Sequence, residues 1–158
     1  MASTCAVRPA RRPWVASLEE TEHRMKQNDR TIERRLKRRR RHYSIRKKIR
    51  GTAGRPRLVV FRSLRHMEGQ LVDDDQGRTL LGVSTRSAAV DAAEPTGDEE
   101  APDLSGSKVR ESYAAGHVLA ELALKAGVAE VVFDRAGYRF QGRVRAFAEG
   151  ARAGGLRF

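Results

Sequence analysis

Cysteine is almost missing from this 158-residue chain. The single thiol, Cys5, excludes an internal disulfide and any zinc site built on several thiolates. Aromatic residues are scarce too, at 6%, so a core must rest mainly on Ala, Val and Leu. No apolar run approaches the roughly 20 residues of a membrane-spanning helix, so the sequence points to a soluble protein with no membrane partner. The four histidines (His23, His42, His66 and His117) fall at no metal-ligand spacing, and there is no Gly-Lys-Ser/Thr phosphate loop. Nothing therefore suggests a metal, a cofactor or a small-molecule substrate. Residues 1–17 lack any acid and carry Arg8, Arg11 and Arg12, with Pro9 and Pro13 blocking a helix. That composition resembles an organelle transit peptide without its amphipathic stripe, and a bacterial leader or a start assigned too early are the competing readings.

What the chain has in excess is positive charge. Thirty-two Lys+Arg face 20 Asp+Glu, a net of +12 and a pI near 10.9, which calls for an anionic partner. The excess is concentrated. Residues 30–57 hold 14 bases and one acid, Glu33, while the other 130 residues carry 18 bases and 19 acids. The sequence thus reads as an N-terminal extension (1–33), a basic arm with its hinge (34–54) and a nearly neutral globular body (55–158).

Ser17 and Glu20 have the spacing of a capping box opening a polar helix through about residue 49, with Glu20–Arg24 and Glu22–Lys26 as i, i+4 support. Seven bases among residues 34–41 repel one another, so this arm is expected to fray alone and to order on an anion. Gly51–Pro56 is the hinge. Arg57–Ser63, Glu68–Asp73 and Thr79–Thr85 read as three antiparallel strands, the last two joined by a turn at Asp74–Gly77. Residues 91–103, with six acids and two prolines, read as a solvated loop. A helix over about 107–126, capped by Ser105 or Ser107, precedes an interior strand at Val131–Asp134. A last helix follows at about 143–153, after which Leu156 and Phe158 dock on the core. The order β-β-β-α-β-α predicts an α/β fold: a mixed sheet of about four strands with covering helices, plus the basic arm.

Two stretches carry chemistry. In the arm, Arg34-Arg35, Lys37–Arg41 and Arg46-Lys47-Lys48 with Arg50 form clusters suited to phosphate, whose neutralisation releases counterions. Arginine outnumbers lysine 26 to 6, which favours bidentate phosphate contacts and stacking. In the body, the loop Arg135–Arg143 leaves an interior strand and enters a helix N-terminus, where backbone N–H groups attract phosphate. Its arginines alternate with Tyr138 and Phe140, rings that either stack on bases or anchor the loop in the core. Catalysis finds little support. Asp73, Asp74 and Asp75 read as turn formers and Asp134 as a partner for an arginine, so a metal-dependent nuclease lacks convergent acids.

The runs RKKIRGTAGRPRLVVFRSLR (Arg46–Arg65), the strand end Gln70–Asp73 and VFDRAGYRFQGRVRAFAEGARAGGLRF (Val132–Phe158) resemble one family. It is the bacterial large-subunit ribosomal protein numbered eighteen, which binds 5S ribosomal RNA. The resemblance covers roughly residues 34–158 apart from the acidic loop. It implies a non-enzymatic, cytoplasmic constituent of the ribosome (an organellar ribosome being the lesser alternative). Such a protein would be seated on 5S rRNA in the central protuberance, bridging to the large-subunit rRNA beside another 5S-binding ribosomal protein. Carried over by position, it implies RNA contacts at Lys47, Lys48 and Arg50, extending the cluster begun by Arg46, and at Arg55 and Arg57. It adds Arg62, Ser63 and His66, then Ser107 and Lys108, and finally Arg135, Tyr138 and Arg143. The sequence departs from the family at Leu64 (usually polar), Glu68 (usually aromatic), Ala136 (usually Gly) and Gln141 (usually His), and its N-terminus is longer. A general nucleic-acid chaperone or packaging factor, which needs only the arm, is the alternative function.

Overall fold

A computed structural model describes residues 18–87, 90 and 106–158, with side chains from residue 29 onward. The expected cap at Ser17, the segment 1–17 and the acidic loop 91–103 lie outside the described residues. The chain divides into two compact units, Met1–Leu36 and Lys37–Phe158.

The described part of the first unit is helical. It belongs to α1 (Leu18–Arg46), whose apolar residues Ile32 and Leu36 are both half exposed. A helix with so little to bury gains almost nothing from packing there. α1 stops three residues short of the sequence expectation, because Lys48 N–H turns back to Ile45 O and tightens the last turn.

The second unit holds the sheet. β1 (Arg57–Arg62), β2 (Met67–Asp73) and β3 (Arg78–Ser84) form an antiparallel meander, and β4 (Val132–Asp134) adds to β1 in parallel, giving the order β3-β2-β1-β4. α2 (Ser107–Lys125) and α3 (Arg143–Ala153) are the covering helices. The mixed sheet and its element order are those expected from the sequence.

Alternation along the strands decides the faces. Leu58, Val60, Met67, Leu71 and Val83 point to one side and are buried with Leu119, Val144 and Phe147 of the helices. Burying a ring such as Phe147 contributes roughly 1.5–3 kcal/mol. α2 and α3 touch at Gly116, where an added Cβ would collide with the Phe147 carbonyl oxygen; backbone contact this close requires glycine. Leu156 is buried against the same core and Phe158 packs on it partly, so the residues after α3 do dock back.

Two local expectations change. Ser107 does not cap α2: Gly106 occupies the cap position, and no side chain bonds the free N–H groups there. In the β2–β3 turn only Asp73 acts as a turn former, its Oδ1 accepting from the N–H of Asp75 and Gln76. Asp74 is taken by arginines instead.

Candidate nucleic-acid interface

Arg57 opens β1 on the sheet face opposite the core, in register with Val72 and Val132. This register puts it between two carboxylates. Its Nε and Nη2 donate to Asp74 at 2.9 and 2.8 Å, and its Nη1 donates to the fully buried Asp134 at 3.1 Å. Asp74 also accepts from Arg46 Nη1 (3.0 Å) and from the Gly51 amide (2.8 Å). The Arg57 hydrogen bond holds the Asp74 carboxyl well below the usual carboxylate range despite desolvation, and Asp74 in turn raises the guanidinium. Arg57 is 7% exposed, which corrects its place among the expected RNA contacts: it neutralises carboxylates and presents nothing to a phosphate. Arg46 and Arg50 stay exposed, but each is ion-paired, to Asp74 and Asp75 respectively.

The same carboxylates reach α1. His42 Nε2 lies 3.3 Å from Asp134 Oδ2, Arg41 Nε donates to Gly137 O at 3.0 Å, and Arg38 Nη1 donates to the Tyr138 hydroxyl at 2.6 Å. Residues 37–46 are therefore fastened helix rather than a free basic tail; acceptor oxygens at Asp74, Asp134, Gly137 and Tyr138 offset the repulsion that argued for fraying. The fit needs a bare backbone at Gly137, which sits at φ 75 with its would-be Cβ only 2.5 Å from Arg38 O. Beside it Ala136, standing where the family resemblance expects glycine, holds φ 49; Asp134 Oδ1 secures it by accepting the Ala136 amide at 2.8 Å.

Tyr138 is 7% exposed. The guanidinium groups of Arg38 and Arg62 lie 4.8 and 5.2 Å from its ring centroid, and its hydroxyl donates to Arg62 O at 3.1 Å. Of the two readings of this ring, packing is the one the geometry supports: no face is open to a base. Arg135 folds over the same loop and donates to Tyr138 O at 2.5 Å. Phe140 differs, being 46% exposed.

The β1–β2 turn completes the group. Ser63 Oγ accepts from the His66 amide (2.8 Å) and donates to His66 O (3.0 Å), while His66 Nδ1 lies 3.3 Å from Thr85 Oγ1. Arg143, at the first turn of α3, donates from Nη2 to Ser63 O at 3.0 Å. Its Nη1 is buried without a hydrogen-bond partner, and burial, reinforced by the charge of Arg62, pushes its pKa down. Leu64, at the tip of this turn, is 90% exposed.

The fold thus assembles Arg62, Ser63, His66, Arg135, Tyr138 and Arg143 around one loop and one turn. It gathers Arg46, Arg50 and Arg57 separately around Asp74 and Asp75. Lys47 lies over Tyr43 at 4.8 Å, Lys48 is exposed, and Arg55 is exposed with its Nε 3.4 Å from Val131 O. Ser107 and Lys108 are exposed at the start of α2, a turn before Glu111, whose charge acts on Arg143. Sequence reasoning singled out Arg38 and Arg41 only as members of a basic cluster, and it missed His42 and Thr85. Arg38, His42 and Arg46 recur at i, i+4 and i+8, a single helix face, and that stripe was the available signal.

Among the described residues no group of three or more His, Cys, Asp or Glu could hold a metal ion, and no helix is long and apolar enough to cross a membrane. A mixed sheet with helices on its core face and guanidinium groups held around an ordered loop defines a cationic α/β binding module. The family model for ribosomal L18 of archaea, bacteria, mitochondria and chloroplasts matches residues 32–158, and the chain belongs to that family. It is 51% identical over 122 residues to the large ribosomal subunit protein uL18 of Pelotomaculum thermopropionicum, covering 77% of this chain and 90% of the relative. The uL18 proteins of Bifidobacterium animalis (50% over 117 residues, covering 74% and 86%) and Thermomicrobium roseum (46% over 121 residues, covering 77% and 91%) are similar as well.

Proposed function

We propose that this protein is a structural, non-enzymatic constituent of the large subunit of the cytoplasmic ribosome. In this reading it binds 5S rRNA and helps attach it to the large-subunit rRNA in the central protuberance, next to another 5S-binding ribosomal protein. The observation that supports it best is the placement of Arg62, Arg135 and Arg143 by main-chain and Tyr138 contacts, because fixed guanidinium groups lose little freedom on binding phosphate. Arg57 and Tyr138 serve this surface from beneath: one neutralises Asp74 and Asp134, the other holds Arg38 and Arg62. The exposed cations Arg39, Arg40, Lys47, Lys48, Arg55 and Lys108 supply the less specific attraction.

Competition tests the reading. A complex with labelled 5S rRNA is expected to survive a large excess of transfer RNA in a gel-shift assay. Its loss to transfer RNA would favour a packaging factor that uses only the basic arm.

A further inference from the structure

We propose that Phe140 is the open end of an aromatic stack that holds an unpaired nucleobase of the bound RNA, an inference that rests on the RNA-binding reading above. The stack is closed at its other end. Arg152 lies 4.5 Å over the Phe158 ring and donates from Nη2 to the Phe158 main-chain oxygen at 3.3 Å. Phe158 stacks on Phe133, with centroids 5.2 Å apart and planes 14° from parallel. Phe133 rests against the core and meets Phe140 edge to face, at 6.0 Å and 83°. Phe140 is thereby braced on one side while 46% of it remains in solvent. Tyr138, two residues earlier, is buried, so Phe140 is the ring this loop offers to a partner.

Charge identifies the occupant. Residues 135–148 contain four arginines and no acid. The acid just before them, Asp134, is fully buried and accepts from Arg57 and the Ala136 amide, with His42 beside it, so it offers no negative charge outward. Arg139, next to the ring, is exposed. A ring for a base beside a cation for its phosphate matches a nucleotide, and such stacking accepts any base because every base has a π-face. A protein partner's apolar patch would have to bury these cations uncompensated. Phe158 acts through Phe133 and is a positioning residue for the stack.

Full-length wild type, F140A, F140W and F158A are titrated with 5S rRNA over a salt series, with circular dichroism as the folding control. F140A is expected to bind roughly 5- to 150-fold more weakly with the same salt slope, because a stacked base contributes no released counterion. F140W should bind like wild type, and F158A should lose a smaller factor. Wild-type affinity for F140A, or an F140W as weak as F140A, overturns the proposal. So does an F140A that binds RNA normally yet fails to enter large subunits, which would assign the ring to a protein neighbour. Loss of wild-type 5S preference over transfer RNA would instead remove the 5S reading, while a weakened F140A on any RNA would leave the stack standing.

Discussion

The Tyr138 hydroxyl accepts a 2.6 Å hydrogen bond from Arg38 Nη1 and donates one of 3.1 Å to the Arg62 carbonyl oxygen, tying α1, β1 and the β4–α3 loop together at one atom. A ring whose purpose is stacking on RNA would tolerate Tyr138→Phe. A hydroxyl at such a junction would not. Tyr138→Phe is expected to lower stability by about 1.5–3 kcal/mol, the range for bonds to charged groups, measured by urea unfolding. An unchanged midpoint would remove the hydroxyl from the account.

The Arg57–Asp74 pair predicts an acid response. Asp74 has its pKa depressed in the folded protein, chiefly by Arg57, so its contribution is complete above the unfolded carboxylate value near 4 and is lost as pH falls below it. Asp74→Asn should cost about 3–5 kcal/mol at pH 7 by leaving buried donors of Arg57 poorly paired. The same variant should show a flatter decline of stability between about pH 4 and pH 2 than wild type. Parallel pH–stability curves for the two proteins would contradict the assignment.

Gly137→Ala combines a left-handed backbone with a steric conflict against Arg38 O. The expected loss is about 1–3 kcal/mol. Faster amide exchange over residues 38–46 than in wild type should accompany it, because the helix must back away to make room. Unchanged protection there would mean that the loop alone absorbs the methyl group.

Neutralising about six phosphates would make log K fall with log salt at a slope of roughly −4 to −5. Lys48→Gln, at an exposed cation, should reduce that slope by about 1. Arg57→Gln should leave it unchanged although the protein is less stable, because the Arg57 charge is already met by Asp74 and Asp134. A flat wild-type response in filter binding would sink the electrostatic account altogether.

Periodicity and turn chemistry made most of the body legible. The strand pattern, the Asp74–Gly77 turn and the span of α3 depend on neighbours a few positions away, and all three are where the sequence put them. The function of single arginines was less accessible. Arg57 and Arg62 border the same apolar strand and the family resemblance marks both as RNA contacts, yet opposite fates follow from Asp134 arriving 77 positions later beside Arg57. Tyr138 could be weighed only as packing or stacking, because its burial depends on Arg38, 100 positions away. The basic run of the arm suggested self-repulsion, since the acceptors that relieve it are scattered over the body.

The parallel pairing of β1 with β4 also sets an order of assembly. Val59 faces Asp134, so the sheet cannot be finished until nearly the whole body has been synthesised, and such non-local closure is slow. Until then Arg38, Arg41 and His42 of the basic arm lack their partners at Tyr138, Gly137 and Asp134. The arrival of Asp134 ends that interval, giving Arg57 its second carboxylate and His42 its partner.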